Sequence, residues 1–213
     1  RALRFHCTLH FTIEEETVQA IRTHAHLLSY ISRERIREEF NRILLQDYPD
    51  TLQLLKEMRV LDTIAAGYTK LMNKEQNNPW HIYDVFTHTD VALNHTKGMA
   101  LEGKLAIIFH DTGKPACETL DADGISHYYG HAQKSVELAR CWLKKLHYDN
   151  RTIQRVLRCI AYHDYNLTPK KSTLRRYLSK FDNQLEDALL ALDVQLADQL
   201  AKNPEPAANG VRI

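Results

Sequence analysis

The segment Leu105–Pro115, LAIIFHDTGKP, is an apolar run that ends in a histidine and a carboxylate side by side. Five apolar residues lead directly into His110 and Asp111. Polar groups left without partners at the edge of a core cost roughly 2–7 kcal/mol, so a compensating group is expected beside them. Imidazole and carboxylate together suit Mn, Fe, Co, Ni or Zn, and a metal ion is therefore one candidate.

Four further residues of metal-ligand type occur along the chain, each beside apolar residues in a predicted helix. Taken singly, each has a simpler explanation, because one inward histidine is more often a hydrogen-bonded core residue, and an aspartate late in a helix is usually solvated or a cap. The ordered pattern, with a helix between most of its members, favours one metal centre instead. The full set is His88, His110, Asp111, His131, His163 and Asp198.

Composition sets broad limits on the class of protein. The chain has 213 residues, 44% of them hydrophobic, which is enough for one large domain or two small ones. A net charge of +1 provides no overall field towards nucleic acid or membrane. The four cysteines lack CxxC spacing and are predicted to be reduced thiols of a cytoplasmic protein. No apolar run approaches the roughly 18 residues of a membrane span, so no membrane partner is expected.

Helical spacing dominates the first part of the chain. Thr12 and Glu15 form a capping-box pattern before a helix of about residues 14–28. Ser32 precedes a second helix with one apolar face, and Asp50 is placed to cap a short third helix. The apolar face of the second helix consists of Ile36, Phe40, Ile43 and Leu44.

The second part also predicts helices, with almost no strand alternation. The predicted helices are about 81–95, 101–111, 130–146, 151–163, 171–181 and 183–201. Gly113 is predicted to cap the C-terminus of the helix that carries His110 and Asp111. The segment ETLDADGISHYYG is expected to be a loop, with a small hairpin as the alternative. The predicted fold is all-α, with metal ligands projecting inward from several helices.

The ligand order and the HDTGKP turn resemble the HD superfamily of metal-dependent phosphohydrolases. The resemblance implies two divalent ions (Mn, Fe, Ni, Co, Zn or Mg), with a single ion, and His131 and His163 on phosphate, as the alternative. In the two-ion form, His88, His110, Asp111 and Asp198 hold one ion, and His131 and His163 hold the second together with a bridging Asp111. The implied substrate is a phosphate ester or nucleotide, such as a 2′,3′-cyclic phosphate. Asp111 is the implied catalytic residue. Lys114 is placed to take developing phosphate charge, unless it is a surface lysine at a helix end, and His127 is a weaker candidate for a substrate contact.

Two further stretches resemble CCA-adding enzymes and bacterial poly(A) polymerases. RALRFHCTLHFTIEEET is similar to the segment after their nucleotidyltransferase head, and ISRERIREEFNRILL loosely fits the S-x-E-R-I-x-E pattern of their neck helices. HIYDVFTHT, IIFHDTGKP and HYYGHAQKS are similar to the HD-bearing part of CCA-adding enzymes. The resemblance implies a helical neck and body at 1–75 and an HD-type helical domain at 76–213, divided within the polar stretch NKEQNNP. The head is expected upstream of Arg1, so this chain alone is not expected to add nucleotides.

One basic segment is a candidate for contact with tRNA. TPKKSTLRRYLSKF, residues 168–181, places its charges on one side of a predicted helix, where they could track tRNA phosphates. The alternative is a solvated helix whose Leu174, Leu178 and Phe181 are core. The candidate phosphate contacts are Lys170, Lys171, Arg175 and Arg176. Two other functions stay open: a tRNA-binding module with a structural or vestigial HD site, and a purely structural helical domain.

Overall fold

The computed structural model describes residues 1–76 and 83–202, and within them the predicted all-α fold is confirmed. These residues form thirteen α-helices, one 3-10 helix and one two-stranded hairpin. The first six helices are α1 Ala2–Leu9, α2 Glu15–His24, α3 Arg33–Leu44, α4 Thr51–Glu57, α5 Leu61–Ile64 and α6 Tyr68–Met72, with the 3-10 helix at Ala25–Tyr30. The others are α7 Val85–Asn94, α8 Leu101–Phe109, α9 Lys114–Cys117, α10 His131–Lys145, α11 Asn150–Tyr162, α12 Lys171–Ser179 and α13 Leu185–Leu200. The hairpin strands are β1 Thr119–Leu120 and β2 Ser126–His127.

Helix α8 is the central element of the second part. Every residue from Gly103 to Phe109 is buried. All of them except Lys104 are non-polar, as expected for a central helix, and the Lys104 ammonium donates to the Thr96 carbonyl at 2.7 Å. Helices α7, α10, α11 and α13 all pack against α8. The chain therefore leaves α8 in the middle of the bundle, and the residues that follow it are surrounded by four other helices.

The N-terminal helices pack against the later ones. Helix α3 contacts α8, and α4 contacts α7, so buried residues of both parts form one hydrophobic cluster. The predicted face of α3 is buried, including Phe40 and Leu44 at 2% and 3% exposure. The domain boundary at residues 75/76 remains a prediction, because the polar stretch around it extends into 77–82, outside the described residues. The C-terminal tail from Asn203 also lies outside them.

The predicted caps of the early helices are wrong. Helix α2 starts after Glu14 without a side-chain cap, so Thr12 forms no capping box. Asp50 stands before α4, but in a left-handed conformation with φ 51° and no capping bond from its side chain. Asp90 of α7 does the capping instead: its carboxylate accepts the N–H groups of Leu52 at 2.9 Å and Gln53 at 3.2 Å. Tertiary packing thus replaces the local cap.

Gly113 does not act as the predicted C-terminal cap. Helix α8 ends at Phe109, and Gly113 has an ordinary right-handed backbone with φ −82° just before α9. Glycine is required there because α10 approaches closely: a Cβ would lie 2.4 Å from the carbonyl oxygen of His131 and 2.7 Å from the nitrogen of Ser135. Its own N–H donates to the Ser135 hydroxyl at 2.8 Å. The HDTGKP turn is therefore packed directly on the start of α10.

The segment ETLDADGISHYYG, which was expected to be a loop, forms a small hairpin, the alternative considered for it. Strands β1 and β2 pair antiparallel, with Thr119 opposite His127 and Leu120 opposite Ser126. The Asp121 carboxylate accepts the N–H of Ile125 at 2.9 Å inside the turn, and Gly124 takes a positive φ of 76°. The hairpin brings the chain back to the start of α10, beside the end of α8. Among the described residues, no helix is long and apolar enough to cross a membrane.

Candidate metal centre

The fold brings the six predicted ligands into one cluster. Five of them are buried, at 2% exposure or less, and the sixth, His131, is partly buried with 13% of its side chain exposed. His88 comes from α7, His131 opens α10, and Asp198 lies on α13. The other three follow the ends of α8 and α11, which point to the same place. The donor atoms fall into two overlapping groups, each within 4.8 Å: His88, His110, Asp111 and Asp198, and Asp111, His131 and His163.

The Asp111 carboxylate lies between two pairs of imidazoles. Its Oδ2 is 3.2 Å from Nε2 of His110 and 3.7 Å from Nε2 of His88. Its Oδ1 is 3.4 Å from Nε2 of His131 and 3.8 Å from Nε2 of His163. Each oxygen thus faces a different pair, which is the arrangement a bridging carboxylate requires.

Asp198 faces only the first pair of imidazoles. Its Oδ1 lies 2.9 Å from Nε2 of His88 and 3.3 Å from Nε2 of His110. The first group therefore has two imidazoles and two carboxylates, and the second has two imidazoles and one carboxylate. Mixed nitrogen and oxygen donors of this kind suit the divalent first-row transition metals.

Backbone carbonyls hold all four rings by the other nitrogen. For three of the histidines the acceptor is the carbonyl three residues earlier, at a helix end or in the turn before a helix, so local structure orients the ring. The four contacts of Nδ1 are His88 to Ala201 at 3.3 Å, His110 to Ile107 at 2.7 Å, His131 to Tyr128 at 2.9 Å, and His163 to Ile160 at 2.7 Å. A neutral imidazole that donates from Nδ1 presents a lone pair at Nε2. Carbonyl partners of this type fix the tautomer of metal-binding histidines.

The distance between His131 and His163 tests whether a metal fits. Their Nε2 atoms lie 3.2 Å apart. Because both Nδ1 atoms face carbonyls, two lone pairs point at one another unless a proton or a cation lies between them. A metal ion held by both nitrogens and by Asp111 removes this repulsion, so the residues present fit a divalent metal.

The carboxylates strongly perturb the titration of this cluster. Burial lowers the pKa of His110, but Asp111 and Asp198 outweigh burial and raise that pKa to about 10. Burial raises the pKa of Asp111, but His110 and Lys114 hold it well below its usual value. Burial and the charge of His110 lower the pKa of His163 to about 4. Without metal, the positive charge that the carboxylates need is supplied by His110 and by nearby lysines.

Two lysines contact the metal-type carboxylates. Lys114 is buried, which excludes the surface-lysine alternative, and its Nζ lies 2.7 Å from Asp111 Oδ2 and 2.7 Å from Gln76 Oε1. Lys202 lies 2.6 Å from Asp198 Oδ2. Lys202 was missed at the level of sequence, although it is four residues after Asp198, a spacing at which side chains meet on a helix; it lies just beyond the end of α13. Burial lowers the pKa of Lys202, but Asp198 outweighs it and the pKa is raised.

A cavity of about 310 Å³ opens onto this cluster. His88 and His110 lie behind the lining, so the cavity reaches the centre from the side of His131 and His163. Asp164 also lines the cavity, and the Nδ1 of its neighbour His163 contacts the Ile160 carbonyl. The lining consists of Asp111, Lys114, Ser126, His127, Tyr128, Tyr129, Gly130, His131, His163, Asp164, Asp198 and Lys202.

The basic segment is separate from the cavity. Its four candidate phosphate contacts are exposed, as a nucleic-acid surface requires. Lys170 and Lys171 stand at the start of α12, Arg175 in its middle and Arg176 in its last turn. Tyr177 and Phe181 are buried, and Leu174 is 41% exposed, so the alternative in which this helix contributes core residues holds for Phe181 but not for Leu174. Arg176 donates to the Tyr165 hydroxyl at 3.0 Å, which restrains one of the four cations.

Comparison with known proteins points to enzymes that act on tRNA. A family model described as "Probable RNA and SrmB- binding site of polymerase A" matches residues 10–70, which include α2–α5 and the start of α6 but not α12. A CC-adding tRNA nucleotidyltransferase of Thermus thermophilus is 29% identical over 212 residues, covering 94% of this chain and 48% of that protein. An A-adding tRNA nucleotidyltransferase of Deinococcus radiodurans is 27% identical over 223 residues, covering 99% of this chain and 50% of that protein.

A shorter match has higher identity. A CCA-adding enzyme of Bacillus cereus is 45% identical over 58 residues, which cover 27% of this chain and 14% of that protein. The chain spans about half the length of the two relatives that it matches end to end. The resemblance to the CCA-adding enzyme family stated from the sequence is therefore confirmed over nearly the whole chain, whereas the HD-type domain remains a prediction.

Proposed function

Since the chain is similar along nearly its whole length to tRNA nucleotidyltransferases, we propose that it is a portion of such an enzyme that carries an HD-type, metal-dependent phosphohydrolase centre. One observation carries this proposal: four imidazole Nε2 atoms and two carboxylates converge in a buried cluster, and each Nδ1 faces a backbone carbonyl. A histidine cluster that served packing alone would not need all four Nε2 atoms directed at one place. The metal role of the six residues remains a prediction.

In the proposed hydrolysis the six predicted ligands hold the metal. Divalent metal held by the six ligands supplies a Lewis acid for phosphate oxygens and lowers the pKa of water towards neutrality. Asp111 and Asp198 stay ionised at neutral pH, because neighbouring cations hold the pKa of each well below its usual value. They therefore serve as ligands and not as proton donors.

The two lysines are placed to bind the phosphate. Lys114 and Lys202 line the cavity and each contacts a ligand carboxylate. With Asp111 and Asp198 holding a metal ion, the ammonium groups of Lys114 and Lys202 would be available to phosphate oxygens at the cavity floor. We assign to Lys114 the role of stabilising the charge that develops on phosphate.

The proposed substrates are phosphate esters such as 2′,3′-cyclic phosphates. The oxygen of water forms a bond to phosphorus, and the bond from phosphorus to one ribose oxygen breaks. One proton of that water ends on the released ribose oxygen, so the products are a phosphate monoester and a free hydroxyl. The cavity of about 310 Å³ is at the lower end of the size range of small-molecule sites.

Hydrolysis of 2′,3′-cyclic AMP across a panel of divalent metals tests this proposal. We expect metal-dependent hydrolysis that Asp111→Ala lowers by at least about 100-fold, because the variant removes the carboxylate shared by both groups. Asp193→Ala is the matched control, since it removes an exposed aspartate from the helix that carries Asp198. No hydrolysis with any metal, from folded protein, would refute the phosphohydrolase proposal.

A second function, holding tRNA, is favoured by the family-model match at residues 10–70. We propose that this region contacts RNA and that the exposed cations of α12 add phosphate contacts. Binding of tRNA to the chain, measured by mobility shift at several salt concentrations, tests this function. It is compatible with a working metal centre, and it is the function that would remain if the centre proved to be structural.

A further inference from the structure

We propose that His127 and Tyr129, at the rim of the cavity, form a stacking surface for the nucleobase of the substrate. This inference rests on the proposed function and narrows its substrate class from phosphate esters in general to nucleoside phosphates. It assigns the phosphate to the metal and lysine end of the cavity and the base to the hairpin end.

The two rings are aligned for stacking. Their planes lie within 4° of parallel and their centroids are 5.6 Å apart. The His127 ring is fixed from the side, because its Nε2 lies 2.9 Å from Asp121 Oδ2 within the same hairpin. Tyr129 is 80% exposed, so most of its ring is open to a ligand. A third flat ring could extend this pair with little rearrangement.

The stacked pair is tied to the metal centre by a short connection. Both rings line the cavity that also exposes Asp111, Lys114 and Lys202. Between them, Tyr128 uses its backbone carbonyl to accept from Nδ1 of His131 at 2.9 Å. The hairpin therefore presents aromatic rings at the rim through the same residues that orient a predicted metal ligand at the floor.

The chemistry of this arrangement fits a nucleotide better than a simple phosphate ester. Aromatic rings stack with any base, because every base presents a π-face, and such contacts tolerate sequence variation. A simple phosphate ester would use only the lysines and the metal. The base could belong to a free mononucleotide or to the terminal residue of an RNA strand, since both present the same base, ribose and phosphate.

Binding of 3′-AMP, measured by calorimetry without any turnover, tests the inference. Ribose 5-phosphate serves as the base-free probe, and the measured quantity is the ratio of the two affinities. We expect Tyr129→Ala to lower that ratio about tenfold, a value within the range of stacking losses on alanine substitution. Tyr129→Phe keeps the ring and should preserve the ratio. Leu120→Ala, which removes a 65% exposed side chain from the same hairpin, controls for general damage to the hairpin.

The outcomes separate this inference from the proposed function. An unchanged ratio in Tyr129→Ala overturns the stacking surface, whether or not the chain hydrolyses phosphate esters. A reduced ratio supports it even if hydrolysis is never detected. An equal loss in Leu120→Ala would also overturn it, because the effect would then belong to the fold of the hairpin. Comparing 3′-AMP with a short RNA that carries a 3′-phosphate identifies the source of the base. Tighter binding of the RNA indicates the terminal residue of a strand, and tighter binding of 3′-AMP indicates a free mononucleotide.

Discussion

Replacing Gly113 with alanine should damage the metal centre through the backbone of α10. The added Cβ would lie 2.4 Å from the His131 carbonyl oxygen, whereas ordinary contacts of a Cβ begin at 3.4 Å. The start of α10 must therefore retreat by about 1 Å, carrying His131 with it. Ligand distances in metal sites hold within roughly 0.2 Å, so a shift of this size should break the group formed by Asp111, His131 and His163.

The assay for Gly113→Ala is a metal titration together with thermal unfolding. We expect the variant to lose metal from the second group, keep the first, and lose about 1–3 kcal/mol of stability by overpacking. Gly103→Ala is the matched control. Its Cβ also meets an atom at 2.4 Å, but that atom is the sulfur of the flexible Met99 side chain, and alanine favours the helix by about 0.5–1 kcal/mol.

Two results would refute this reasoning. The first is unchanged metal stoichiometry and affinity in Gly113→Ala, which would mean that α10 does not need to stay so close to the HDTGKP turn. The second is a loss of metal binding in Gly103→Ala as large as that in Gly113→Ala, which would show that the loss reflects general destabilisation and not the displacement of His131.

Three other predictions concern His110, Asp90 and the basic segment. In the metal-free chain the pKa of His110 is raised to about 10, so protonated His110 stabilises the fold fully below about pH 6.5, and this stability is lost as the pH rises towards 10. Metal binding at pH 7 should therefore release a proton, and the metal affinity should rise about tenfold per pH unit. Calorimetry in several buffers measures both the proton release and the affinity. Asp90→Ala should lower the free energy of unfolding by about 1–3 kcal/mol, because two N–H groups of α4 lose their acceptor, and Asp90→Asn should cost less in denaturant melts. Replacing the four cations of the basic segment with glutamine should weaken tRNA binding and reduce the slope of log K against log salt concentration by about 0.7–0.9 per lost phosphate contact. The same replacement at Lys144 and Lys145, which are exposed on α10, should leave both the affinity and the slope unchanged.

Periodicity was sufficient to predict the longer helices, because each of them is amphipathic or, like α8, almost wholly apolar; the short helices α5, α6 and α9 were not predicted. The face of α3 that contains Phe40 is buried, and so is every residue of α8 from Gly103 to Phe109. Three of the wrong predictions, those for Thr12, Asp50 and Gly113, concern helix ends. Asp50 has the right side chain in the right place for a cap, but its left-handed backbone excludes that role, and Asp90 supplies the cap from another helix. Tertiary partners of this kind leave no local signal in the sequence.

In the candidate site, too, the sequence pattern predicted some features, and others depended on tertiary packing. The order of histidines and aspartates was enough to predict which residues converge, because each stands on or next to a helix of the bundle. The same order did not reveal Lys202, because its contact with Asp198 depends on where the end of α13 lies beside the cavity. It also did not reveal that His127 stacks on Tyr129, because that contact depends on a hairpin in a segment that was expected to be a loop. The burial of Lys114 also depends on packing, since a lysine after a helix end is exposed in most surroundings.

The most direct test of the central claim is the number of metal ions that the chain binds. Metal-free protein is titrated with Mn²⁺, Fe²⁺, Co²⁺, Ni²⁺ and Zn²⁺ in turn, and bound metal is measured by elemental analysis beside Asp111→Asn. The account predicts two ions per chain with at least one of these metals, and loss of both tight sites in the variant. Folded protein that retains none of the five metals would contradict it, and the four histidines would then be structural.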